Sequence, residues 1–530
     1  MLFNSYVFIF AFLPVVVAGY ALLRRYAADR SWVIGWLIIS SLFYYGWWKP
    51  QFLLLLFVSV SVNAVLGKAL IEGGLRRTVA KLVLVAGIVF NVGLLAYFKY
   101  AMFIVENMNA WFGAGLTVPK IILPIGISFI TFQKIAFLVD AYKGHVTHFS
   151  LRNYALFVTF FPQLIAGPIV HHAEMMPQFD RQSRHDTFRE DLAIGFSIFC
   201  VGLFKKVVIA DSCALYADTG YEVVHAGRML DFASAWITVI AYSFQLYYDF
   251  SGYSDMAVGL ARIFGIRLPV NFHSPYKAVS IIDFWRRWHI TLSRFLRDYL
   301  YVPLGGNRKG AVRRYVNLMI VMLLGGLWHG ANWTFVVWGA FHGFLLALNH
   351  AWQRLPIAAS AMWKTAWARA VFVFTTFIVV TLAWVPFRSP DLVTARRMRH
   401  MLFPAHSPDG AVVDSLRAFW RAQFWDFPKA MDMLSWFKPR ELWPTPIPAD
   451  FLTGYHPVGW VLLVVALVTF FLPNSNQFFA AVKPVIGLDV SPGRLSPRCL
   501  DGRVAIMVSA MFVLSVLSLS RVSPFLYFQF

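Results

Sequence analysis

YVNLMIVMLLGGLWHGANWTFVVWGAFHGFLLALN, residues 315–349, contains no Lys, Arg, Asp or Glu. A bilayer-spanning helix needs about 20 mostly apolar residues, so this stretch reads as membrane-embedded, with His329 inside it. Outward from it, comparable apolar runs fill most of the chain. They cover 5–23, 32–48, 51–70, 80–98, 118–139, 153–170, 191–212, 232–261, 370–387, 458–473 and 503–521. The expected fold class is therefore all-α, a polytopic membrane helix bundle. Residues 1–390 form its core, 388–457 an extramembrane loop with short helices, and 458–530 a C-terminal membrane part. The sequence shows no internal repeat, heptad or low-complexity tract.

Composition agrees. Of 530 residues, 59% are hydrophobic, 17% aromatic and 14% charged, against roughly 45–50% apolar and about 25% charged in soluble domains. A soluble enzyme and a disordered chain are both excluded. The net charge of +21 would point to nucleic acid in a soluble protein. Here the basic residues belong to short loops under the positive-inside rule, and no nucleic-acid partner is expected. Cys200, Cys213 and Cys499 are too scattered for a disulfide framework or a zinc site.

Charge also orients the chain. No Lys or Arg precedes the first apolar run, and Arg24, Arg25 and Arg30 follow it. This order predicts a retained first helix with its N-terminus outside the cytoplasm. Arg76, Arg77 and Lys81 mark a second cytoplasmic loop. Segment 262–314 holds eleven Lys or Arg against Asp283 and Asp298, and it also reads as cytoplasmic. Simple alternation of spans conflicts with that, so one apolar run must be re-entrant or broken. Pro124 and Gly126 single out 118–139, because irregular backbone survives at membrane depth only when buried in protein or lining a cavity. In 281–301, Ile281, Trp285, Trp288, Leu292, Phe295 and Tyr299 share one helical face. Arg286, Arg287, Arg294 and Arg297 take much of the remainder. That pattern predicts a helix lying in the membrane interface.

Few residues offer chemistry. His329 lies between Gly325–Gly326 and Gly330, with Trp328 and Asn332 beside it as supporting residues. The plain alternative is a core histidine bonded to a carbonyl. Ionisable groups inside spans are costly and usually functional, and imidazole is suited to take a hydroxyl proton near neutral pH. His289 is either a half-buried residue of the interfacial helix or a second site member that tunes the first. His342 reads as structural or cavity-lining. His171 and His172 lack further ligands at metal spacing, so no metal site is assigned. Asp249, Ser251, Tyr253 and Asp255 interrupt the apolar run 232–261. Pairing of the two carboxylates with Arg286, Arg287 or Arg294 is expected, with direct substrate contact as the alternative. The basic stretch 262–314 is either ordinary topology or an attractor for donor phosphates. No P-loop, dinucleotide fingerprint or GxSxG elbow occurs.

Five stretches resemble the membrane-bound O-acyltransferase (MBOAT) family, nearest its bacterial branch of alginate O-acetyltransferases and teichoic-acid D-alanyl transferases. They are LPIGISFITFQ (123–133), FFPQLIAGPIV (160–170), QLYYDFSGYSDMAVGLARIFGIRLPVNFHSPY (245–276), DFWRRWHITLSRFLRDYLYVPLGGNRKG (283–310) and GGLWHGANWTFVVWGAFHG (325–343). The resemblance implies about 11–13 spanning or re-entrant helices around a central funnel, with His329 as the buried catalytic histidine and His289 as its partner. It implies an acyl group handed across a bacterial inner membrane, with acetyl-coenzyme A (acetyl-CoA) as donor substrate and no bound cofactor. Periplasmic polysaccharide-acetylation proteins and membrane lipid are the implied partners. The extended C-terminal part is similar to members that serve exopolysaccharides such as alginate or cellulose. Two other readings stay open at this point. One is D-alanyl transfer from a carrier-protein thioester. The other is a transporter in which Asp249, Asp255 and His329 relay protons.

Overall fold

The computed structural model describes residues 1–180, 187–404, 410–421, 458–487, 491–493, 496–497, 501–519 and 525–526. Among them every named element is helical, and the one strand-like feature is an isolated bridge between Pro269 and Ile486. In chain order the principal helices are α1 (Phe8–Tyr26), α2 (Ser31–Gly46), α3 (Gln51–Glu72), α4 (Arg77–Phe112), α5 (Ile127–Tyr142) and α6 (Phe188–His225). They continue as α7 (Phe232–Ile263), α8 (Gly310–His329), α9 (Trp333–Trp352), α10 (Ala366–Arg388), α11 (Val458–Phe471) and α12 (Gly502–Leu517). Of these, α1, α3, α4, α6, α8 and α10 are long and apolar enough to cross a membrane. This is a multi-pass membrane protein.

The core is built on α7. Its first turn is capped by the Asp231 side chain, which accepts from the Ser234 amide, and nearly every residue after that is buried. A helix buried all round needs no amphipathic stripe, which is why polar side chains sit on it without a solvent face. α6 lies against α7 almost backbone to backbone. A Cβ on Gly259 would lie 2.5 Å from the Gly195 carbonyl oxygen, and one on Gly202 would lie 2.6 Å from that of Gly252. Small residues at such crossings let membrane helices approach closely.

α4 and α6 each contain one π-type turn, Ala96–Tyr100 and Lys205–Ala210. Such widened turns are frequent at functional sites, and both carry lysines that recur below.

Several expected elements differ. The run 315–349 is not one segment but the antiparallel hairpin α8–α9, with His329 at its tip. Continuous hydropathy hid the turn, although Gly330 and Asn332 are turn residues. The run 118–139 is irregular up to Gly126, which adopts φ 73°, and helical only from Ile127. The run 153–170 is also broken, into Leu151–Thr159, Phe161–Leu164 and a non-helical stretch, packed in the interior from Asn153 onward.

The expected single helix over 281–301 is a correction as well. It forms Ile281–Trp285, Ile290–Leu296 and a π-type turn Arg297–Tyr301. The break falls at His289, whose φ of 44° cannot continue a right-handed helix. Within 388–457 the structure describes helices Leu392–Leu402 and Ala411–Trp420; residues 405–409 and 422–457 lie outside the described residues, as does Cys499.

Candidate active site

α8 ends at His329, Gly330 is extended, and the Asn332 side chain caps α9 by accepting from the Thr334 amide at 3.0 Å. The hairpin closes tightly because Gly326 and Gly339 face each other. A Cβ on Gly326 would lie 2.3 Å from the Phe335 carbonyl, and one on Gly339 would lie 2.3 Å from that of Met322. Glycine therefore serves backbone approach here, and the tip is fixed relative to both helices.

The last carbonyls of a helix have no partner of their own. Here Lys99 Nζ donates to the carbonyl oxygens of both Trp328 and His329, the latter at 3.0 Å, and Tyr100 Oη donates to that of Leu327 at 2.9 Å. The π-type turn of α4 presents these two adjacent side chains to the end of α8.

A cavity of about 390 Å³ reaches the tip. Its walls include Tyr44, Trp48, Lys99, Trp328, His329 and the non-helical stretch Leu123–Gly126. Residues 123–126 of the irregular stretch thus line a void. On its other sides the His329 ring meets Trp338 and Phe387 edge-on, each at 5.1 Å, and Trp328 at 4.8 Å. The ring is 5% exposed. α2, α4 and α8 all bring their cavity-facing parts to one end of the bundle. Their opposite ends adjoin Arg30, Arg76–Arg77 and Arg308–Arg314. The imidazole sits away from the basic end.

His289 arrives from a different element. It is fully buried, not half-buried, and its Nδ1 is 3.0 Å from Asn271 Oδ1. Asn271 Oδ1 only accepts, so Nδ1 carries the proton and Nε2 the lone pair. The same oxygen accepts from Thr291 Oγ1 at 2.9 Å, and Asn271 Nδ2 donates to Ser254 Oγ at 3.2 Å. Burial pushes the His289 pKa down to about 3, so the ring is neutral at pH 7. Trp328 lies between the two histidines, 6.0 Å from the His289 ring and 4.8 Å from that of His329. His289 does not line the cavity itself. His342 is on the far side, separated from His329 by Trp338, and its Nδ1 accepts from Trp285 Nε1 at 3.3 Å.

The structure brings His329, Trp328 and His289 together and leaves the other candidates elsewhere. Asp249 pairs with Lys206 at 2.7 Å and accepts from the Leu526 amide; Lys206 also holds Asp211 at 2.7 Å. Asp255 pairs with Lys205 at 2.7 Å. The expected partners Arg286, Arg287 and Arg294 are thus incorrect. Arg286 is exposed, Arg287 binds Asp283 at 2.8 Å, and Arg294 makes a bidentate pair with Glu174. The lysines of α6 win because α6 lies flush against α7, whereas the arginines sit on a separate broken segment. Ser251 is buried in α7, and the Tyr253 ring stacks between Phe3 and Phe525. Asn332 is a helix cap that also donates to the Pro390 carbonyl. None of these lines the cavity. Among the described residues no group of three or more His, Cys, Asp or Glu is arranged to hold a metal.

Sequence reasoning missed Lys99, Tyr100 and Asn271. Lys99 had a signal, a lone cation directly after the apolar run 80–98. Asn271 had none beyond its polarity.

The profile of the membrane-bound O-acyltransferase family matches residues 75–385. A peptidoglycan O-acetyltransferase of Helicobacter pylori is 45% identical over 75% of this chain and 79% of its own length. A protein named "Probable alginate O-acetylase AlgI" from Pseudomonas aeruginosa is 42% identical over 76% of this chain and 75% of its own. Its namesake from Pseudomonas putida is 36% identical over the whole of both chains. A helical membrane bundle that sets a buried histidine at the tip of a glycine-packed hairpin, within a segment matched from end to end by the family profile, belongs to the membrane-bound O-acyltransferases and is an O-acyltransferase.

Proposed function

We propose that the enzyme acetylates hydroxyls of a polysaccharide outside the cytoplasmic membrane, with His329 as the general base. The observation that carries this reading is the position of His329, on the wall of a cavity at the end of α8 remote from its arginines and lysines. By the positive-inside rule the basic end faces the cytoplasm. The cavity then faces the periplasm of a bacterial inner membrane, the side on which a polymer acceptor waits, and the N-terminus lies there too. The named relatives act as acetyltransferases on peptidoglycan or alginate. Whole-length similarity to an alginate O-acetylase favours an exopolysaccharide, handled together with periplasmic acetylation proteins.

The donor is a thioester, acetyl-CoA, entering from the basic end. The acceptor hydroxyl oxygen bonds to the thioester carbonyl carbon while its proton passes to a ring nitrogen of His329. The tetrahedral oxyanion collapses, the C–S bond breaks, and the thiolate recovers the proton from the imidazolium. His289, neutral and held by Asn271, keeps the second imidazole on the far face of Trp328 in a single tautomer. Trp338 and Phe387 pack edge-on against the ring and must part to admit an acetyl arm that arrives from the basic end.

Replacing His329 with Ala in the native host tests this reading. The ester-linked acetate of the extracellular and envelope polysaccharides falls by about 10²–10⁴-fold, with the protein at its normal level in the membrane. Unchanged acetylation at that level removes His329 from the chemistry. Thiol release from acetyl-CoA by the purified enzyme identifies the donor, and release only from a carrier-bound thioester replaces it.

A further inference from the structure

The cavity holds a second feature that the acyl-transfer scheme does not use. Lys99 lines it beside His329, yet its ammonium is turned to the backbone of α8, where it donates to two consecutive carbonyls. An ammonium has three donors. Two go to these carbonyls, and Nζ also lies 6.0 Å from the centroid of the Trp328 ring. The end of a helix carries partial negative charge from its unpaired carbonyls, which favours a hydrogen-bond donor placed there. Tyr100 secures the preceding carbonyl. In the turn that follows, Gly330 is extended and the Asn332 side chain caps α9 and bonds the Pro390 carbonyl instead. His329 is therefore the last residue of a helix whose terminal carbonyls are held by α4, in addition to the glycine contacts that close the hairpin.

We propose that Lys99 is the positioning residue of the site: it fixes the backbone of Trp328 and His329, and through it the direction of the imidazole into the cavity. Lysine suits the task because a single amino group reaches two consecutive carbonyls from a wide turn. The proposal rests on the assignment of His329 as general base only for its catalytic consequence. The fastening of the tip is a physical claim of its own.

Two measurements separate the claims. The first is hydrogen–deuterium exchange on the purified full-length protein in nanodiscs, followed on peptides covering 327–334. Lys99→Met exchanges at least ten-fold faster there than wild type, while Lys99→Arg, which keeps the charge and several donors, stays within about two-fold. The second is polysaccharide-linked acetate in the native host at matched membrane levels of protein. Lys99→Met loses at least ten-fold and Lys99→Arg restores most of it, a rescue that a simple folding defect does not give. Unchanged exchange in Lys99→Met overturns the fastening. Faster exchange with normal acetate in Lys99→Met leaves the fastening and overturns the positioning role. If His329→Ala retains acetylation while Lys99→Met speeds exchange, the general-base reading fails and the fastening stands.

Discussion

At the residue scale, His289 shows how a buried imidazole is specified. Its left-handed backbone breaks the helix, Asn271 selects its tautomer, and burial keeps it neutral with a pKa of about 3. In the unfolded chain the same ring titrates near 6.5. Above pH 6.5 neither form binds the proton. Between 6.5 and 3 only the unfolded form does, so the stability contributed by this residue is present above 6.5 and is lost on acidification. Thermal unfolding in detergent at pH 7.5 and pH 5.0 measures this. The fall in Tm between the two is smaller in His289→Gln than in wild type, and an equal fall contradicts the assignment. Position 289 was singled out in the sequence, but its environment was not legible there. Nothing in WRRWHIT announces a positive φ, and Asn271 is a partner only because the fold returns the chain to it.

At the scale of elements, the α8–α9 hairpin depends on glycines that are not equivalent. Gly339 has the Met322 carbonyl where its Cβ would go, whereas a Cβ on Gly325 would meet only Leu296 Cδ1 at 3.4 Å. Gly339→Ala costs about 1–3 kcal/mol from overpacking and lowers the Tm of the purified protein; Gly325→Ala leaves it nearly unchanged. Equal shifts in the two variants contradict the backbone contact. Helix existence was readable for α1, α3, α4 and α6 because length and hydropathy suffice to define a span. The hairpin, the fragments of 281–301 and the interior pieces of 153–170 were not, because hydropathy records burial without recording direction. The ion pairs failed for a related reason. Asp249 and Asp255 announced themselves as buried carboxylates, but their lysines lie some forty to fifty positions earlier on a helix whose packing only the fold reveals.

For the whole molecule, the segregation of basic helix ends from the cavity supports the orientation proposed from the positive-inside rule, and labelling tests it. Cysteine introduced at Trp48, on the cavity rim, reacts with a membrane-impermeant maleimide in intact spheroplasts. Cysteine at Arg313 reacts only after permeabilisation, with Cys499 replaced by Ser and the buried Cys200 and Cys213 left in place. Labelling of both positions from one side would falsify the orientation. The class of molecule was evident from composition and motifs, since it rests on local chemistry. The arrangement around α7 was not, since it depends on contacts between distant parts of the chain.

One such contact reaches into biogenesis. Tyr253 is held between Phe3 at 4.9 Å and Phe525 at 4.6 Å, and the Asp249 carboxylate receives the amide of Leu526. A ribosome delivers these groups in order, so the centre of the bundle is synthesised long before the residues that seal it. Through that interval Asp249 has its lysine but not its amide, and one face of Tyr253 is uncovered. The centre of the bundle therefore closes only once residues 525 and 526 have been made, well after the histidine hairpin has appeared.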